Sequence, residues 1–136
     1  MPPRYFTLDE ANATLPLVRR IVGDITELYP KWRELVSHYE LVAAQSRPDW
    51  GESAEQMELR TQIEEVAREM NGYLQELNQV GCVLKGFDQG LVDFYGRMED
   101  RDILWCWKVG EDRIEHWHEV EAGFAGRQPI AVGGEA

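Results

Sequence analysis

Residues 105 to 130, WCWKVGEDRIEHWHEVEAGFAGRQPI, gather three of the five tryptophans, two of the three histidines and a cluster of acids. If 113–118 is a strand, Ile114, His116 and His118 share one face while Glu115, Trp117 and Glu119 share the other. His-x-His on a strand can set two imidazoles on one divalent metal, with Asp93 or Glu111 from a neighbouring strand or turn completing the ligand set. A metal with an open position would activate water or polarise a substrate. The plainer alternative is a pair of half-exposed histidines on an edge strand. Glu115 and His118 also spell Glu-x-x-His, the spacing of di-iron bundles. It falls in an expected strand and has no second copy, so the di-iron reading fails.

Three further groups carry weaker signals. The glycines at 81, 86 and 90 fit neither a P-loop nor a dinucleotide fingerprint. The loop they punctuate could offer Lys85 and Asp88 to a ligand, or be a tight helix-to-strand connection. Trp105 and Trp107 share a strand face with Ile103 and Val109, a shelf for a flat ligand or a piece of core. Cys106 lies mid-strand, away from any helix N-terminus, which argues against a nucleophilic role. Arg127 could clamp an anion or pair internally with an acid.

These residues need a frame. Thr7-Leu8-Asp9-Glu10 reads as a capping box, and Pro16 is expected to stop or kink a short first helix. Val18, Ile21, Ile25, Leu28, Trp32, Leu35, Tyr39 and Val42 then recur in heptad steps, with Pro30 bending the seam. Turn chemistry follows at Arg47 to Gly51. Ser53 to Gln56 is a second capping box, opening the run Leu59, Ile63, Val66, Met70, Leu74 and Leu77, which Gly81 terminates. Beyond it the period changes: 91–95 and 103–109 read as a β-hairpin, 110–112 as a turn, and 113–118 as a third strand. The tail is expected to pack through Phe124 and Ile130 and then fray. The expectation is an α+β protein of one domain over 1–136, with a long antiparallel helical hairpin (7–80) followed by a small three-stranded antiparallel β-sheet and tail (81–130).

Bulk properties narrow the function. The 136-residue chain carries a net charge of −11, nearly all of it after residue 50. That field repels phosphate backbones, and no basic stripe offsets it, so no nucleic-acid partner is expected. No apolar run reaches the length of a membrane span and the N-terminus lacks a signal-peptide core, so no membrane partner and a cytoplasmic location are expected. Two cysteines do not make a disulfide framework.

FTLDEANATLPLVRRI, GCVLKGFDQGLVDFYGR, CWKVGE and WHEVEAGFAGRQPI together resemble a small bacterial family without assigned activity, the domain-of-unknown-function family 2203. The resemblance implies a bacterial, cytoplasmic, single-domain protein. Its pattern falls on Asp93-Phe94, Cys106-Trp107, Gly110-Glu111, Trp117-His118-Glu119, Gly123-Phe124 and Arg127, and leaves out His116. It thus moves the candidate site to His118 with Asp93, Glu111, Glu119 and Arg127, a set suited to acid–base or single-metal work, or to a satisfied polar network. Two functions stand side by side. The favoured one is a non-catalytic interaction or scaffold module that homodimerises through the helical hairpin. The alternative is a small enzyme or ligand or metal sensor built on the His/acid cluster.

Overall fold

The computed structural model describes residues 4–46 and 51–130. Most of the turn expected at 47–51, and the tail beyond 130, lie outside the described residues. Helix α1 (Leu8–Gln45) opens on the expected capping box: Glu10 donates its backbone N–H to Thr7 Oγ1, and Thr7 donates its own to Glu10 Oε1. Pro16 does not end a first helix; α1 runs through Pro16 and Pro30 as one 38-residue helix. Both prolines lie on its exposed side, and buried Leu15 and Val18 flank Pro16, so packing there offsets the hydrogen bond its ring removes. Helix α2 (Ala54–Val80) starts on the Ser53–Gln56 capping box and stops at Gly81, whose φ of 108° only glycine adopts easily. The two run antiparallel, as Tyr39 donating to Glu52 near the turn requires. Among the described residues no helix is long and apolar enough to cross a membrane.

The sheet has five strands, not three: β1 (Val83–Gly86), β2 (Leu91–Met98), β3 (Arg101–Lys108), β4 (His116–Glu119) and β5 (Gln128–Pro129). They lie in chain order, each antiparallel to the next. The added strands are the outermost, of four and two residues. Neither is long enough to display alternation, and β1 sits inside the glycine-rich connection; their pairing comes from the neighbouring strand rather than from their own pattern. The β2–β3 turn is only Glu99-Asp100, with φ of 52° and 64°, the left-handed pair that a two-residue hairpin demands.

One face of the sheet packs on the first half of α1 and the end of α2. Val92, Phe94, Ile103, Trp105, Trp107 and Trp117 meet Ala11, Leu15, Val18, Val22, Ile25 and Leu77 there. The tryptophan shelf is therefore core. Ile114 belongs to the same core rather than to the face of His116, because the strand begins only at His116 and the backbone bends before it. The heptad seam is buried through Ile25 and half-buried from Leu28 to Val42, where the sheet no longer covers the hairpin.

Candidate metal centre

The second face of the sheet, turned away from the helices, carries the polar residues. Register dictates which of them meet. Asp93 on β2 stands opposite Cys106 on β3; Cys106 stands opposite His116 on β4, and Leu104 opposite His118. Directly opposed residues share a face, and His118 is the diagonal neighbour of Cys106. Segment 120–124 folds over this face, so Asp93 is 4% and His118 2% exposed.

Hydrogen bonding then constrains the protons. His118 Nδ1 lies 2.8 Å from the Glu119 carbonyl oxygen, which can only accept, so Nδ1–H donates. Nε2 lies 3.1 Å from Asp93 Oδ1. A neutral ring points a lone pair there, and an ionised carboxylate points another. Something positive must sit between them: a proton on either group, or a metal ion. An Nδ1–H held by a carbonyl with Nε2 aimed outward is how ligating histidines are commonly oriented.

Cys106 supplies a third donor. Its sulfur, His118 Nε2 and an Asp93 oxygen all lie within 4.8 Å of one another, and among the described residues no other trio of His, Cys, Asp or Glu does so. Tetrahedral donors at bonds of about 2.0–2.3 Å stand roughly 3.5 Å apart, within reach of small side-chain rotations. Burial, with the Asp93 charge behind it, pushes the Cys106 thiol up to about 11. Above the trio opens a recess of about 210 Å³ lined also by Lys85, Leu91, Val120, Gly123 and Phe124. Lys85 Nζ stands 4.0 Å from Asp93 Oδ2, on the side away from His118.

A family model described as Uncharacterized conserved protein (DUF2203) matches residues 4–130, hairpin and sheet together. The chain belongs to the DUF2203 family. No curated protein and no solved structure gives a match.

In this DUF2203 chain the remaining candidates are engaged with partners other than the three ligand atoms. Glu111 and Arg127 pair with each other, and Arg127 also reaches the Cys106 carbonyl at 3.4 Å. Glu111 further accepts the Lys108 N–H at 2.9 Å, while its own carbonyl takes the Trp107 indole N–H at 2.9 Å. His116 joins this group, its Nδ1 lying 3.7 Å from Glu111 Oε2 rather than in the trio. Glu119 is exposed and pairs with Arg101. Asp88 pairs with Arg33, whereas Lys85 pairs with Asp93. Phe124 is 41% exposed, forming a wall of the recess under Arg127, so of the two tail anchors only Ile130 packs on the core.

The Glu111–Arg127 pair clasps the tail to the β3–β4 turn. Burial alone would raise the Glu111 carboxyl, but the hydrogen bonds from Arg127 and from the Lys108 N–H outweigh it and hold the carboxyl below its ordinary range. The stabilisation is therefore present above the ordinary carboxylate range and lost as pH falls through the lowered value. Replacing Glu111 by Gln is expected to cost about 1.5–3 kcal/mol near neutrality and to make stability less sensitive between pH 5 and pH 3 (roughly the carboxylate range). Urea denaturation at both pH values measures it; equal losses at the two would refute the clasp.

Cys106 is the residue that the reading of the sequence set aside. A mid-strand position is poor for a nucleophile, whereas a metal ligand needs only a shared face with Asp93 and His118. The Cys106-Trp107 element of the family pattern was the available signal.

Proposed function

We propose that this protein is a small metalloprotein in which Asp93, Cys106 and His118 hold one divalent cation at the floor of the recess. One observation carries the reading: ligand atoms of Asp93, Cys106 and His118 lie buried within 4.8 Å of one another, with His118 Nδ1 committed to a carbonyl and Nε2 aimed at Asp93 Oδ1 across 3.1 Å. A mixed thiolate, imidazole and carboxylate set suits zinc best, and three protein ligands with a fourth position left to solvent or substrate are the catalytic rather than the structural pattern. The bound ion would then polarise a carbonyl or activate water. Elemental analysis of untagged protein tests this, beside cobalt(II) uptake in metal-stripped protein. About one metal per chain is expected, lost in His118→Ala and in Cys106→Ser. A metal-free protein that also refuses cobalt would remove the proposal.

A homodimerising interaction module remains a second reading, compatible with the first. It is favoured by the half-buried seam of Leu28, Trp32, Leu35, Tyr39 and Val42 and by Leu41 at 64% exposed, all on the part of the hairpin that the sheet leaves bare. A second copy laid against this arm would complete a four-helix bundle. Size-exclusion chromatography with light scattering is expected to give a dimer that Leu35→Glu dissociates. A monomer at micromolar concentration would end that reading.

A further inference from the structure

The recess above the trio is particular in its charge and its walls. Beside the Cys106 and His118 ligands its lining holds one carboxylate, Asp93, and one ammonium, Lys85, in a chain whose net charge is −11. A bound divalent ion would deprotonate the Cys106 thiol outright. Two positive charges on the metal and one on Lys85 then face one negative charge each on Cys106 and Asp93, which leaves an excess of one positive charge. A buried site relieves such an excess by taking an anion. Lys85 is placed for that role, with its ammonium beside Asp93 and its side chain half exposed at the rim. The other walls, Leu91, Val120 and Phe124, are apolar, and Val120 and Phe124 stay 44% and 41% exposed although both are large hydrophobic side chains. The recess of about 210 Å³ exceeds the roughly 150 Å³ in which an apolar cavity holds benzene, so one ring and a carboxylate fit.

We infer that the site takes a small monocarboxylate bearing an apolar, ring-sized group, its carboxylate filling the fourth position on the metal within reach of Lys85 and its ring lying between Leu91, Val120 and Phe124. The inference rests on the metal reading above. The polar end is set by the metal and the ammonium, the apolar end by area removed from water, so each can be removed separately.

Cobalt(II)-loaded protein, titrated with benzoate, acetate and benzamide and followed by its visible spectrum and by calorimetry, tests it. Benzoate is expected to shift the cobalt bands and to bind about tenfold or more tighter than acetate, which lacks the ring, and than benzamide, which lacks the charge. Lys85→Met is expected to weaken benzoate about tenfold while cobalt stoichiometry holds. Phe124→Ala is expected to bring benzoate close to acetate without altering the acetate affinity. Cobalt bound one to one but indifferent to benzoate, or benzoate no tighter than acetate, would overturn the carboxylate assignment and leave the metal centre standing. Failure of cobalt to bind would overturn both.

Discussion

Trp105→Ala is expected to cost about 3–5 kcal/mol, the range for emptying a buried aromatic site, against a total stability of about 5–15 kcal/mol for a domain of this kind. Trp105 is fully buried, and its indole N–H donates to the Phe6 carbonyl oxygen at 2.9 Å. Phe6 in turn donates its own N–H to the Tyr95 carbonyl at 2.7 Å. The indole thus ties the entry to α1 onto β3, beside the Phe6 bond to β2, and its loss leaves both a cavity and an unpaired buried carbonyl. The ring also fits only over a glycine: a Cβ on Gly96 would stand 2.2 Å from the indole nitrogen. Gly96→Ala is therefore expected to destabilise as well, by about 1–3 kcal/mol from overpacking. Thermal melts followed by circular dichroism should show a drop of roughly 10 °C or more for Trp105→Ala. Trp105→Phe, which keeps one aromatic ring but loses the donor and part of the buried volume, should fall between. A near-native melt for Trp105→Ala would mean that the hairpin and sheet do not depend on this contact.

Zinc is expected to raise the stability of the metal-stripped protein, by about 2.7 kcal/mol when free zinc is a hundred times its dissociation constant. Asp93→Asn removes a direct ligand and should cost about a hundredfold or more in metal affinity, cutting the rise to about 0.4 kcal/mol or less at the same free zinc. It should do so without harming the metal-free fold, because an asparagine amide can donate an N–H to the His118 Nε2 lone pair where a carboxylate cannot. That separation of metal loss from fold loss is what a purely structural role for the pair would not produce. The pH dependence has a definite sign. Burial holds the Cys106 thiol up to about 11, so it is protonated through the neutral range and the metal must displace that proton. Zinc affinity is then expected to fall as pH falls, about tenfold per pH unit for each proton released. Isothermal calorimetry in two buffers of different ionisation enthalpy counts those protons. Zero protons released, or an unshifted melting curve with zinc, would argue against thiolate ligation.

Some parts of this structure are legible in the sequence and others are not, for physical reasons. Capping boxes, heptad steps and Gly81 are local signals, since each depends on residues within a turn or two of one another, and both helices start where those signals put them. Pro16, where a stop or kink is expected, differs for the same reason: its local cost is visible in sequence, whereas the packing of Leu15 and Val18 that offsets it is not. The strands Leu91–Met98 and Arg101–Lys108 were legible in their β-branched and aromatic residues. Strands Val83–Gly86 and Gln128–Pro129 were not, because so short a strand is defined by its partner.

The candidate residues divide along the same line. Their types were set by the sequence alone, as were the acidity of the chain and the α+β class. Which of them meet was decided by register and by how the tail folds back. Opposition of Asp93 to Cys106 and the diagonal step to His118 bring these three together, while the same pairing sends His116 toward Glu111 and Arg127 and leaves Glu119 in solvent beside Arg101. A strand's side chains alternate faces, so a one-residue slip in either pairing would have exchanged the site for the core. That register is held by long-range contacts such as Trp105 against Gly96 and Phe6, separated by up to 99 positions in the chain, and only the folded protein brings them into contact.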